Sequence, residues 1–449
     1  MSLAAGAGRD GPSGDPPGGP RTALMWGLGV LVHLVAVVHR SSLGVAGLDA
    51  ARRFHLGSCA LSAFPVVQVV ACAGLQIPAG AAVARFGAKR VLSLGLLLLT
   101  AGQLGFGCAH GYLPALAARA VLGCGDAMTF VGVLRLGARR LPVRRGPLTA
   151  QSTALFGMAG SLVSTLLLSR LLGSAGWTAT FTGTALAGAA VLVLVLLLPR
   201  DHPAALAPAP PERGPRDRGP GSDSDRDRVR GRLSAAWREP GTRLGTWVHF
   251  TAQFPAMVFL LLWGLPFLVQ EEGLSQAAAG ELLTVVVLST VLLGLVYGQV
   301  VARHHGARLP LALGTVAATA TVWAAVLARS GPAPLWLLVL LCAVLGGCGP
   351  ASMIGFDLAR PANPPERFGT AFGVVTMGGF TASVTALLAI GALLDATGGD
   401  YRVALCSVFV LQAAGLTQIL RLRRAAARRE RERVPVSRVH AVHTATARA

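Results

Sequence analysis

Apolar residues in this chain follow neither the two-residue period of a half-buried strand nor the stripe of a surface helix; they come in long unbroken runs. A bilayer core about 30 Å thick needs about 20 such residues per helix. On that template twelve spans are expected, at 22–45, 59–83, 91–108, 113–137, 148–172, 177–198, 244–269, 278–302, 309–328, 334–357, 368–394 and 402–422. Between the tenth and eleventh lies Arg360-Pro361-Ala362-Asn363-Pro364-Pro365-Glu366-Arg367, whose charges and prolines suit a turn in water and no membrane core. Residues 1–21 are rich in Gly and Pro with no apolar centre, the pattern of a disordered tail and not of a cleavable signal. The stretch 199–243 mixes Pro, Gly, Arg and Asp and reads as a flexible linker, and 423–449 as an arginine-heavy tail. The expected fold is therefore an all-α membrane protein with twelve transmembrane helices in two pseudo-symmetric six-helix bundles, 22–198 and 244–422.

The duplication is written in the polar punctuation. Gly80-Ala81-Ala82-Val83-Ala84-Arg85-Phe86-Gly87-Ala88-Lys89 returns as Gly298-Gln299-Val300-Val301-Ala302-Arg303-His304-His305-Gly306-Ala307-Arg308, with one extra residue in the second copy. Leu122-Gly123-Cys124-Gly125 is echoed by Gly346-Gly347-Cys348-Gly349, and Arg145-Gly146 by Arg367-Phe368-Gly369, all about 220 residues on. Two like halves of membrane helices imply a site between them, which is how a secondary transporter moves a solute.

Composition agrees: 53% of residues are hydrophobic and 13% charged, too apolar for a soluble chain of 449 residues. The formal charge of +20 would suit a nucleic-acid partner if it formed a patch, but the arginines sit in tails and short loops, which instead fits the cytoplasmic positive bias. With the N-terminus inside, the cytoplasmic short loops hold Arg85, Lys89, Arg90, Arg139, Arg140, Arg144, Arg145, Arg303, Arg308, Arg360 and Arg367, and the opposite loops only Arg52, Arg53, Arg170, Arg329 and Arg402. A multi-pass protein of the cytoplasmic (inner) membrane is expected, with both termini cytoplasmic. The seven cysteines lie scattered in apolar runs without a CxxC pair, so they suggest neither a zinc site nor a disulfide framework. No GxxxxGK[ST] pattern occurs, so an ATP-driven pump is not indicated. No cofactor or metal is expected, and no nucleophile or metal cluster points to an enzyme.

The loop motif carries a resemblance. Gly80, Arg85, Gly87, Lys89 and Arg90 are similar to the signature of the major facilitator superfamily between its second and third helices, although Ala84 stands where the family usually has Asp and Ala88 where it usually has Arg. Arg119 with Gly123-Cys124-Gly125 resembles the family's Arg-then-Gly motif in the fourth helix. The likeness covers roughly 22–422 and implies a transporter that alternates access by rocking its halves, with the first, fourth, seventh and tenth helices lining the cavity. The missing Asp implies a weaker latch at this loop. The family's drug-antiporter motif wants Gly-Pro in the fifth span, whereas this chain has Gly157-Met158-Ala159-Gly160. On residue chemistry alone, Gly80 and Gly87 are expected to let the backbone turn tightly, and Arg85, Lys89 and Arg90 to bond helix-end carbonyls or a neighbouring acid.

Ionisable residues inside spans cost about 2.5–3.5 kcal/mol each on insertion scales, so each needs a reason. Trp26, His33 and Arg40 share one stripe of the first span; Arg119 and Asp126 share one of the fourth. One reading sets Arg40, Arg119 and His33 toward an aqueous cavity, where they bind an anionic group or balance Asp126. The plainer reading is an Arg119–Asp126 pair that neutralises itself, with Arg40 reaching to the outer interface. His33 and His39 offer protonatable groups or simple packing, and Asp126 is the preferred proton carrier. Arg135 and Asp357 occupy matching places in the two halves and form a candidate cytoplasmic gate. In the seventh span Gln253 and Phe254 are expected to line the cavity, Pro255 and Pro266 to kink the helix, and Trp247 and Trp263 to anchor at the interface. Gln68, Gln76 and Gln299 are candidate helix–helix hydrogen-bond donors. The expected partners are a small-molecule solute, a proton as coupling ion and the lipid bilayer, with no nucleic acid and a monomeric state. A small organic or inorganic anion is the favoured solute, with two alternatives: export of a hydrophobic or cationic compound, or a non-transporting membrane sensor on the same scaffold.

Overall fold

The computed structural model describes residues 20–140, 156–197, 231–364 and 367–433. Most of both expected tails, most of the linker, the start of the fifth span and the Arg139–Arg145 loop beyond Arg140 lie outside the described residues, while 423–433 of the expected C-terminal tail continues the last helix. The helices are α1 (Pro20–Phe54), α2 (Ser58–Phe86), α3 (Ala88–Cys108) and α4 (Tyr112–Arg140), followed by a helical stretch Phe156–Leu197. That stretch breaks at Gly176, whose φ of 77° few other residues tolerate, and so divides into α5 (156–175) and α6 (177–197). The second half comprises α7 (Pro240–Glu271), α8 (Gln276–Arg303), α9 (Arg308–Leu327), α10 (Leu335–Ala362), α11 (Phe368–Thr397) and α12 (Tyr401–Ala425). Ten stretches are long and apolar enough to cross a membrane; counting Phe156–Leu197 as two and adding the more charged α4 is consistent with twelve passes. Residues 231–238 of the expected linker are helical, and α7 begins at Pro240 rather than 244.

α1 runs nine residues past its expected end because Ala46–Phe54 continues in good helix formers, and its polar groups find partners at the helix end. Arg52 pairs with Asp49 at 2.6 Å, and Arg53 donates to the Ala109 carbonyl. α7 is irregular for the reason its prolines suggest. π-Helical turns occupy Phe259–Trp263 and Phe267–Glu271, just beyond Pro255 and Pro266, where a missing N–H leaves the hydrogen-bond ladder free to change register. At the first loop, Gly87 has φ 87°, as expected of a tight turn; Gly80 instead lies inside α2 with open space around it, so it serves no turn. Lys89 donates to the Leu196 carbonyl at the end of α6, as expected for a cation beside a helix C-terminus.

The duplication is visible in the packing as well as the sequence. In α4, a Cβ added at Gly123 would lie 2.3 Å from the Gln68 carbonyl oxygen of α2; in α10, one at Gly346 would lie 2.8 Å from the Val286 carbonyl oxygen of α8. Likewise Gly157 of α5 accommodates His33 of α1, and Gly379 of α11 accommodates His249 of α7. Small residues at these crossings let backbones touch, the main source of helix cohesion where lipid removes the hydrophobic drive. Each half also closes one end with aromatic rings: Phe54, Phe64, Phe106, Trp177 and Phe181 in the first, Phe259, Phe267, Trp323 and Tyr401 in the second. The apolar core runs continuously across both halves at this end.

Candidate functional site

The most enclosed of the ten candidate spans are those of α1, α7 and α10, the first, seventh and tenth helices. α4 joins them because its glycines wedge it between neighbours: Gly123 meets α2, and Gly125 meets the Gly95 carbonyl of α3. That wedge presents Asp126 to α1. There Arg40 grips it with two contacts, Nη2 to Oδ1 at 2.9 Å and Nε to Oδ2 at 2.9 Å. The first contact is a charge-assisted hydrogen bond and the second a close ion-pair approach without hydrogen-bond geometry. Asp126 is 3% exposed, whereas a third of the Arg40 side chain (33%) remains open. The Cys72 thiol of α2 lies beside the same carboxylate, with Gln76 next to it.

Arg119 does not share this site. It is wholly buried, donates from Nη1 to the Ser42 hydroxyl at 3.3 Å, and stacks its guanidinium 5.0 Å from the Phe106 ring centre. Seven residues along one helix is about 10.5 Å of rise, so sharing a stripe with Asp126 does not bring the two together, while Arg40 reaches it sideways from α1. Arg119 is therefore enclosed here and makes no direct contact with Asp126, although the two charges lie near enough to act on each other. Arg40 likewise does not extend to the interface. Behind Arg119 a polar chain threads the first half: Ser42 donates to the His39 carbonyl, His39 Nε2 meets the Thr184 carbonyl, and Gln103 donates to the Thr184 hydroxyl. His33 is buried in its glycine notch rather than open to a cavity.

The second half offers neutral groups in the corresponding region. Ser352 of α10 donates 2.7 Å to Gln253 Oε1 of α7, and the Ser352 carbonyl lies 3.0 Å from His249 Nδ1. Ser383 of α11 contacts the Met257 sulfur. Gln253 is half-buried at this junction, as a lining residue would be, but Phe254 is fully buried in the core. Adjacent residues on a helix point about 100° apart, so the two cannot line the same space. Trp263 is also buried, its indole N–H donating to the Leu387 carbonyl, because α7 is largely enclosed by its neighbours. Gln68 is buried with its Oε1 unpaired, and Gln299 is exposed, so neither supplies the expected helix–helix bond through those groups.

Of the candidate gate, Asp357 is half-buried on α10, whereas the Arg135 side chain lies outside the described residues. Of the loop cations, Arg85 stacks over Phe86 and Arg90 is exposed. Beyond the membrane spans, burial pushes the Glu272 carboxyl above its ordinary range, opposed by the Ala333 N–H that it accepts and by Arg402. Among the described residues no group of three or more His, Cys, Asp or Glu is placed to hold a metal ion. Cys72, Ser352, Ser383 and His249 are additions to the sequence reading. His249 had a signal: it lies about one repeat length beyond His33.

Solved transporters share this architecture. A bacterial homologue of the human lysosomal transporter Spinster, in inward-facing forms, superposes with a TM-score of 0.62 at 16% identity, over 91% of this chain and 96% of that one. A variant of the nucleoside transporter NupG gives 0.64 at 15% identity, over 88% and 98%. No curated protein sequence matches the chain. The sequence model of the Major Facilitator Superfamily matches residues 29–267, more than half of the chain. With duplicated halves, enclosed first, seventh and tenth helices and this match, the chain belongs to the major facilitator superfamily of membrane transporters.

Proposed function

We propose that this transporter moves a small organic or inorganic anion together with a proton, the two meeting at Arg40 and Asp126. The observation that carries this reading is the split exposure of the pair: a nearly buried carboxylate held by an arginine that remains one-third open in the middle of an interior helix. One N–H of the Arg40 guanidinium donates to Asp126 and its Nε sits close to the second carboxylate oxygen, so further N–H donors remain for a solute. Protonation of Asp126 cancels its charge and loosens the pair, and Arg40 then takes the anion in its place. Proton and anion travel as a neutral sum, which avoids carrying net charge through a low-dielectric path. When the anion leaves, Arg40 recovers Asp126 and expels the proton. Gln253, Ser352 and Ser383 supply neutral hydrogen bonds from the opposite half, suited to the uncharged part of a solute.

In this reading the protein is a monomer in the cytoplasmic membrane with both termini inside, supported by the arginine bias of its loops. Arg135 and Asp357 close the cytoplasmic side. Export of a cation would require Asp126 free to receive it, and its engagement with Arg40 favours the anion. The test is reconstitution in vesicles loaded with a pH-sensitive dye and exposed to gradients of monocarboxylates, dicarboxylates, phosphate and cationic dyes. At least one anion should drive proton entry, Asp126→Asn should uncouple the two, and Arg40→Gln should abolish both. Proton counterflow driven only by cations and unaffected by Arg40→Gln would contradict it.

A further inference from the structure

α2 begins without a cap of its own. Its N-cap residue is Gly57, which has no side chain to receive the first free N–H groups, where Ser, Thr, Asp or Asn is the usual choice. The cap comes from the other half of the molecule. Asp395, near the end of α11, accepts from the backbone N–H of Ser58 at 2.7 Å and of Cys59 at 2.9 Å. A carboxylate facing two N-terminal amides is favoured both by charge-assisted hydrogen bonds and by the helix dipole.

The surrounding residues are fitted to this approach. A Cβ at Gly57 would lie 3.1 Å from the Asp395 carboxylate, and one at Gly391, a turn before Asp395, would lie 2.3 Å from the Ser62 hydroxyl. One turn further, Ser62 donates to the Leu387 carbonyl at 2.8 Å. Leu387, Gly391 and Asp395 thus form a stripe on α11 that meets the first turns of α2. Other bonds between the halves gather at the same end, including Gln276 to Asp49.

We infer that Asp395 is a latch which holds the two halves together at this end, by capping a helix of the opposite half. The contrast with Asp400 defines the role. Asp400 caps α12 through the N–H groups of Arg402 and Val403, both in its own half, so rocking of the halves leaves that cap intact. Separation of the halves at this end must break the Asp395 cap and leave the amides of Ser58 and Cys59 without their acceptor in the protein. The latch therefore favours the form closed at this end. It rests on the alternating-access reading for its consequence but not for its measurement.

The experiment places spin labels at His110→Cys in the α3–α4 turn and Ser330→Cys in the α9–α10 turn, both exposed at this end, after the native cysteines are replaced by alanine. Pulsed dipolar distances are recorded for that protein and for its Asp395→Ala, Asp395→Asn and Asp400→Asn versions in lipid nanodiscs. Asp395→Ala should raise the ratio of long to short distances about fivefold, the size of a typical lost helix cap. Asp395→Asn should give a smaller rise, and Asp400→Asn none. Unchanged distances in Asp395→Ala, or an equal change in Asp400→Asn, would overturn the latch. A distance shift in Asp395→Ala with no solute moved in vesicles would leave the latch standing while the transport reading falls.

Discussion

The two halves of this protein share their joints and differ in their chemistry. Gly123 against α2 and Gly346 against α8 perform the same close approach, as do Gly157 against His33 and Gly379 against His249. Yet the first half holds Arg40, Arg119 and Asp126 within its helices, whereas the second joins its own α7, α10 and α11 through the neutral Gln253, Ser352 and Ser383. Backbone contact depends on the absence of a side chain and is indifferent to the charge beside it, so the scaffold stays duplicated while the polar groups diverge. The difference teaches where charge is concentrated: the first half carries the paired ions, and on the proposed reading it handles the charge while the second supplies neutral contacts.

The largest effect that sharpens this contrast is on stability. Asp126→Ala leaves Arg40 without its carboxylate and should cost about 2–3 kcal/mol, reduced from the fully buried case because Arg40 is partly open to water. Ser352→Ala in the second half removes one neutral hydrogen bond and should cost about 1 kcal/mol. Chemical denaturation in detergent micelles measures both. A double Arg40→Gln/Asp126→Asn protein should recover most of the loss yet fail to transport; equal costs in the two halves would remove the contrast.

A smaller effect is expected where charges of the two halves are proposed to meet. Exchanging the signs at Arg135 and Asp357 together should restore part of the uptake lost when either is reversed alone, with a coupling of about 0.5–1 kcal/mol. Absence of any rescue by the double reversal retires that gate.

Much of the architecture was legible because lipid forces backbone hydrogen bonds inside each helix, so span length and apolar content alone locate the passes. The repeat was legible because glycine at a crossing cannot be replaced cheaply. Partner choice was less so. The stripe spacing placed Arg119 and Asp126 on one face of α4 but said nothing of the rise between them, nor of α1 approaching from the side. Phe254 illustrates the same limit: it neighbours a lining residue and yet points into the core. Trp263 was misplaced because an aromatic near a span end marks an interface only when its helix faces lipid, and helix position within a bundle is a tertiary fact. The Asp395 cap, too, links residues 58 and 395 and leaves no local pattern.

The central claim is that the Arg40–Asp126 pair borders a watery passage between the halves. Cys72, beside Asp126 midway along α2, reports on it. With the other six cysteines replaced by alanine, a membrane-impermeant maleimide should label Cys72 from the aqueous phase, and more slowly when a transported anion is present. Labelling of Cys72 by lipid-soluble reagents alone, with no protection by any anion that drives proton entry, would contradict the account.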